Sequence, residues 1–179
     1  KGYEITLGAH IIESDKFQWN TLINYSANRS KILSLGEDGS DIYGRAPGTN
    51  IVNTASNVMR VGEVFGALYG YEITGLIQES DFDENGAPLI PLNTNYGVRG
   101  SYKFKDADGN GTITPADRGI IGDPTPDFIF GWNNDFTYGD FSLSIFIQGV
   151  IGNDVMNIDR LFLASGRTVD NSLLSWYNN

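Results

Sequence analysis

The 179-residue chain has no cysteine, a single histidine and a formal net charge of −10. Disulfides, thiolate metal centres and His/Cys zinc sites are therefore excluded, and an acidic excess with no local Lys/Arg cluster in the sequence argues against nucleic acid as a partner. The 22 glycines and 12% aromatic residues favour strands and turns, and no apolar run approaches the roughly 20 residues of a membrane helix.

The chain opens directly in a strand pattern: Tyr3, Ile5, Leu7, Ala9 and Ile11 alternate with Glu4, Thr6, Gly8 and His10. A second run places Phe17, Trp19, Thr21, Ile23, Tyr25 and Ala27 on one face against Gln18, Asn20, Leu22, Asn24, Ser26 and Asn28. Only Glu13-Ser14-Asp15-Lys16 separates the two, which predicts an antiparallel hairpin over about 2–29. His10 falls on the polar face with no nucleophile near it in sequence, so it reads as a hydrogen-bonded surface group and not as a catalyst.

Residues 30–126 are rich in Gly, Asn, Asp and Pro, with two strand-like islands at Val64 to Gln78 and Tyr96 to Lys105. The spacing Gly62-x-x-x-Gly66-x-x-x-Gly70 resembles a small-residue helix motif, but Tyr69-Gly70-Tyr71 favours glycines packed beneath aromatics on a strand. Asp81, Asp83 and Glu84 sit in a Gly/Pro-containing stretch and read as a solvated surface. No pair of acids and no triad is nominated for catalysis, so an enzyme is not expected.

Asp106-Ala107-Asp108-Gly109-Asn110-Gly111-Thr112-Ile113-Thr114-Pro115-Ala116-Asp117 follows EF-hand calcium-loop spacing, with Asp in place of the final Glu. Oxygen ligands would come from Asp106, Asp108, Asn110, the Thr112 carbonyl and Asp117, while Gly111 makes the bend. The shorter Asp at the last position reaches less far, so a structural, more loosely held Ca2+ is the expected occupant. Tyr102-Lys103-Phe104-Lys105 reads as a strand, so the helices of an EF-hand are missing. The competing reading is an Asp/Asn/Gly turn whose side chains cap their own backbone.

A second hairpin, about 127–151, is expected where Phe128, Phe130, Trp132, Phe136 and Tyr138 alternate with Ile129, Gly131, Asn133, Asp135 and Thr137. Tyr138-Gly139-Asp140-Phe141 suits a type II′ turn, and the return strand puts Phe141, Leu143, Ile145 and Ile147 opposite Ser142, Ser144 and Gln148, with Phe146 as the exception.

Strands of about ten residues exceed the soluble mode of about 5–6 and match the roughly 9–11 needed to cross a bilayer at a tilt. Asn20, Asn24, Asn28, Asn133 and Gln148 would line a wet lumen opposite a lipid-facing stripe, and Tyr3, Phe17, Phe128 and Tyr138 would form an interfacial girdle. The fold class is therefore all-β, antiparallel strands forming part of a large transmembrane barrel with long extracellular loops. With both short turns on the periplasmic side, zero or an even number of crossings lie between the hairpins. Short periplasmic turns and long outer loops favour a largely extracellular excursion. The alternative on pattern alone is a soluble β-sandwich, or functionally a soluble extracellular calcium-binding β-module. A hydrolase is a distant third.

Several segments, in one order, resemble the SusC/RagA family of TonB-dependent outer-membrane transporters. They are Lys1-Gly2-Tyr3-Glu4-Ile5, the Trp19 strand, Asn28 to Leu35, Val61 to Tyr71, Gly75-Leu76-Ile77-Gln78, and above all Tyr102 through the Asp106 loop to Asn134. Phe146-Ile147-Gln148-Gly149 and Gly152-Asn153-Asp154-Val155-Met156-Asn157 continue the match, while Leu161 to Asn179 matches least. The resemblance implies a plugged barrel of about 22 strands in the bacterial outer membrane. It would import glycan or peptide fragments with a SusD-like surface lipoprotein as its lid. TonB would act through a region that precedes these residues, since both ends are expected to be cuts in a longer protein. No substrate-contacting residue is carried over, and these strands alone could not close a barrel.

Overall fold

The computed structural model describes residues 1–45, 55–93 and 97–157. Tyr96, at the start of the second strand-like island, and residues 158–179, which include most of the weakly matching tail, lie outside them. Among the described residues there are ten strands: β1 (Gly2–Glu13), β2 (Phe17–Asn28), β3 (Ile42–Gly44), β4 (Asn57–Met59), β5 (Ala67–Tyr71), β6 (Ile73–Leu76), β7 (Tyr102–Phe104), β8 (Arg118–Gly122), β9 (Phe128–Tyr138) and β10 (Phe141–Ile151). They fall into two units: Lys1–Ser40 with Arg60–Phe65 and Asp123–Val155, and Asp41–Met59 with Gly66–Gly122.

The first unit is built on an antiparallel sheet in the order β1-β2-β9-β10. Its register follows the alternation in the sequence. Phe17 pairs with Tyr138, Ile23 with Trp132 and Tyr25 with Phe130, while Leu7 pairs with Ile23 and Ile147 with Trp132. A one-residue slip anywhere would carry these side chains to the opposite face. β2 and β9 pair directly, so the chain between them leaves and returns at one end of the sheet while both hairpin turns lie at the other.

Each turn has a local cause. Ser14 accepts the Phe17 N–H on its hydroxyl and donates that hydroxyl to the Phe17 carbonyl. Gly139 adopts φ +55°, and Asp140, like every other non-glycine described, keeps φ negative. One positive φ at the first central position is the type II′ signature; type I′ would need two. The β1 register departs from simple alternation once, where the ladder passes from His10 to Ile12, so that Ile12 and not Ile11 stands opposite Trp19.

The apolar face of the sheet is bare: Leu7, Ile23, Leu143 and Ile147 are all exposed. In a soluble domain such a face would be buried against another layer. Large residues crowd its two ends. Phe17, Tyr138 and Phe141 form one row across the strands beside the turns, and Tyr25 stacks on Phe128 with ring centroids 5.4 Å apart at the other end. At about 3.4 Å per residue the 11-residue strand β9 runs roughly 34 Å, and a tilt of about 40° projects this to about 26 Å, the height of an apolar barrel band.

Two polar residues, Thr21 and Asn134, interrupt that face side by side. Asn134, with 5% of its surface exposed, accepts the indole N–H of Trp19 at 3.1 Å and the Thr21 hydroxyl at 3.1 Å. Thr21 in turn accepts the Trp132 indole N–H at 2.8 Å. The opposite face is a lattice of hydrogen-bonded amides, hydroxyls and carboxylates. Thr6 donates to Asn24, Asn133 donates to Asp135, and Ser144 donates to the other Asp135 oxygen. His10 joins it through its Nδ1 contact with Asn20. Leu22, Ile129, Phe146 and Val150 are the apolar members of this face, and Phe146 lies against Gly131, whose absent side chain leaves room for the ring.

The second unit carries a sheet in the order β3-β4-β5-β8 and a β6-β7 pair. Its small core is Val58, Ala67, Ile77 and Ile113. β5, β6 and β7 fall within the two islands that the sequence marks, whereas β3, β4 and β8 lie outside them. Three- to five-residue strands are too short to display a period and are held by their neighbours instead. The glycine motif is not one element. Gly62 and Gly66 adopt φ +94° and +75°, and only Gly70 is in a strand, where a Cβ would meet Ile121 Cδ1 at 3.1 Å and no aromatic ring. Asp81 also departs from the expected solvated surface: it is buried, accepts the Gln78 N–H at 2.8 Å and pairs with Lys103 at 2.7 Å.

Candidate functional site

Within the second unit, residues 106–117 fold as a closed turn organised by carboxylates. Asp106 accepts the N–H groups of Gly109 and Gly111, one on each oxygen, both at 2.8 Å. Gly109 and Gly111 take φ values of +72° and +83°, a left-handed region that glycine adopts without strain. Asp108 accepts the Asn110 N–H, and the Asn110 side-chain oxygen accepts the Thr112 N–H at 2.8 Å. These are successive Asx turns.

Asp117 closes the loop from its far end. It accepts the Ala107 N–H at 2.8 Å on one oxygen and the Thr114 N–H at 2.7 Å on the other, and it is 3% exposed. Thr114 and Asp117 form a capping box around the short 3-10 helix Pro115–Asp117. The sequence Thr114-Pro115-Ala116-Asp117 carries that signal, which a reading as calcium ligands alone passes over. Ile113 is buried and donates its N–H to the Leu92 carbonyl, while Thr112 bridges to Leu92 in parallel register, so the turn is anchored to a separate segment.

The Thr114 N–H, with the Ala107 and Asp108 N–H groups behind it, holds the Asp117 carboxyl below the usual carboxylate range. A depressed folded value means that the clasp is fully formed above the unfolded pKa of about 4 and is lost as the pH falls through the lower folded value.

Asp106, Asp108 and Asp117 each bring one carboxylate oxygen to within 4.8 Å of the other two. Oxygens bound to one Ca2+ at about 2.4 Å can be no more than about 4.8 Å apart, so this spacing admits a single hard cation. The Asp106 and Asp108 oxygens each accept one N–H and keep a second lone pair. Asp117 instead accepts the Ala107 and Asp108 N–H groups on one oxygen and the Thr114 N–H and hydroxyl on the other, so it would ligate by giving up one of the two 3.4 Å contacts. Among the described residues none of the three has a basic partner within ion-pair distance. Asn110 and Thr112 lie on the same turn, joined to each other as described. The donor set is all oxygen, which fits calcium and excludes soft metals.

Comparison with known proteins gives these features a context. The chain is 40% identical over 167 residues to TonB-dependent receptor P3 of Formosa agariphila, covering 93% of this chain and 16% of that protein. It is 29% identical over 158 residues to TonB-dependent receptor SusC of Bacteroides thetaiotaomicron, covering 86% of this chain and 14% of SusC. The chain thus spans about one-sixth of the length of the curated relatives it matches. The fold is similar to that of the RagAB peptide importer in its closed-closed state, with a TM-score of 0.61 at 16% identity over 92% of this chain and 16% of that one. No protein-family model matches.

Proposed function

Because the chain belongs to the SusC/RagA family of TonB-dependent receptors, which are transporters and not enzymes, we propose that it supplies part of the wall of an outer-membrane barrel that imports glycan or peptide fragments. The observation that carries this reading is the sheet β1-β2-β9-β10, exposed and apolar on one side and amide-lined on the other. A soluble calcium-binding module would have to cover that apolar side, which a bilayer does without a second layer. The hairpin turns lie on the periplasmic side and the stretch between the hairpins, about 30–126, is a largely extracellular excursion. A SusD-like lipoprotein caps the receptor outside, and TonB drives it from the periplasm. The intact receptor is expected in the outer-membrane fraction and, affinity-tagged, to bring down a surface lipoprotein in stoichiometric amount. A freely soluble parent would reject the reading.

The Asp106–Asp117 turn is proposed as a structural Ca2+ site that stiffens this outer segment, with Asp106, Asp108, Asn110, the Thr112 carbonyl and Asp117 as ligands. Three converging carboxylates without a cation nearby favour it. In the purified receptor, Ca2+ and not Mg2+ should slow proteolysis within residues 100–120. Asp108→Ala should weaken Ca2+ binding about tenfold or more, because it removes one of three charged ligands. Identical digestion in Ca2+ and in chelator would leave the turn self-capped.

A further inference from the structure

An asparagine followed by glycine is prone to lose its side-chain amide, because the backbone nitrogen of a residue without Cβ can reach the asparagine Cγ. The sequence holds two such pairs, Asn85-Gly86 and Asn110-Gly111. Both asparagines are exposed. Both glycines take nearly the same backbone, φ +79° and +83°, in open space where an added Cβ would meet nothing within 4 Å. What separates the two pairs is hydrogen bonding.

Asn110 is held at the atoms the reaction needs. Its side-chain oxygen accepts the Thr112 N–H, its side-chain nitrogen donates to Asp108, and the Gly111 N–H donates to the Asp106 carboxylate, each at 2.8 Å. The first two bonds fix the amide. The third ties the nucleophile to an anion, which makes its proton harder to remove. In the other turn the bonds spare the side chain. One Asp83 oxygen accepts the N–H groups of Asn85 and Ala87 at 2.9 and 2.7 Å, and the Asp83 carbonyl accepts the Gly86 N–H at 2.9 Å. Among the described residues nothing bonds the Asn85 amide itself, and the Gly86 N–H meets a neutral carbonyl in place of a carboxylate.

We propose that Asn85 is a site of spontaneous deamidation, and that the Asp106–Asp117 turn protects Asn110 from the same reaction. The Gly86 nitrogen gives up its proton and bonds to Asn85 Cγ, while the Cγ–Nδ2 bond breaks and ammonia leaves with that proton. Water then opens the succinimide so formed. Cleavage at Cγ gives aspartate; cleavage at the backbone carbonyl gives isoaspartate, whose main chain runs through the former side chain. Water is the sole co-reactant, and nothing is oxidised or reduced. Isoaspartate adds a methylene to the backbone of a turn closed by the Asp83 N–H on the Ala87 carbonyl at 2.8 Å and by the Phe82–Pro88 bridge. The Leu89 N–H donates to the Asp81 carbonyl at 2.8 Å, so the distortion reaches the segment that carries the buried Asp81–Lys103 pair.

The intact receptor, kept in detergent at mildly alkaline pH and followed by peptide mapping in a mass spectrometer, tests this by reading the exchange of NH2 for OH. Asn85 should convert at least about tenfold faster than Asn110 in the folded protein, and within about twofold of it in guanidinium chloride, where only the shared Asn-Gly chemistry remains. Asp106→Ala frees the Gly111 N–H and should bring Asn110 towards the rate of Asn85. Isoaspartate-bearing molecules should be cleaved within residues 79–89 faster than the Asn85→Asp variant, which adds the same charge on an ordinary backbone. Equal folded-state rates, a faster Asn110 or no conversion at either would overturn the site. A rate ratio that persists in guanidinium chloride would overturn the hydrogen-bonding argument, and an Asn110 unmoved by Asp106→Ala would overturn its protection.

Discussion

Arginine at position 23 is expected to destabilise the intact receptor by about 2–4 kcal/mol in a bilayer, whereas arginine at position 24 should change its stability by less than about 1 kcal/mol. The two residues are neighbours in β2 and differ only in the face they occupy. Ile23 stands between Leu7 and Trp132 on the bare apolar side. Asn24 accepts the Thr6 hydroxyl among the amides opposite. A cation near mid-band has no water to reach except by thinning the bilayer, while a cation on the lumen side is hydrated where it stands. Urea unfolding of the two variants in lipid vesicles measures the difference. Equal costs would mean that the apolar face is covered by protein, and the barrel-wall reading would fail with it.

Much of this contrast is legible in the sequence because the four long strands carry a period of two over most of their length. Twelve residues in each of β1 and β2 and 11 in each of β9 and β10 give the alternation room to declare itself. A short turn then leaves little choice of partner. The direct pairing of β2 with β9 is less evident, since their sequences are separated by a stretch with turn residues throughout. What decides it is the matching of aromatic rows, Phe17 to Tyr138 and Trp19 to Phe136, which appears only when the strands are set side by side.

The second unit was legible where chemistry is local. The Asp106 loop declares its carboxylates, glycines and capping threonine at fixed spacing, and the structure folds them together. Asp81 was not legible for the opposite reason. Its burial depends on Lys103, a partner 22 residues away that gives no sign of itself in the Asp81-Phe82-Asp83-Glu84 run. The Gln78 N–H and then Lys103 hold its carboxyl below the ordinary range, so its charge is a structural element and not a reserve for catalysis.

Asn134 is the sharpest instance of information held in register and not in sequence, and its removal carries the second large effect. Read along β9, it breaks an aromatic stripe; read across the sheet, it stands beside Thr21 and Ile145. The Trp19 indole N–H finds its acceptor there, whereas the Thr21 hydroxyl can also reach the Asn133 carbonyl at 3.2 Å. Asn134→Leu therefore orphans chiefly the indole, at an expected cost of about 1–3 kcal/mol for a donor shielded from water. The membrane alternative lowers that figure, because hydrogen bonds between side chains in lipid average about 0.6 kcal/mol and reach about 1.7. A cycle separates the two. In a Trp19→Phe background the indole donor is already gone, so Asn134→Leu should cost about 1 kcal/mol less than it does in wild type. Adding Thr21→Val should deepen the loss, because it takes the acceptor from the Trp132 indole N–H. If Asn134→Leu costs the same with and without Trp19, the indole bond contributes nothing and this knot is packing alone.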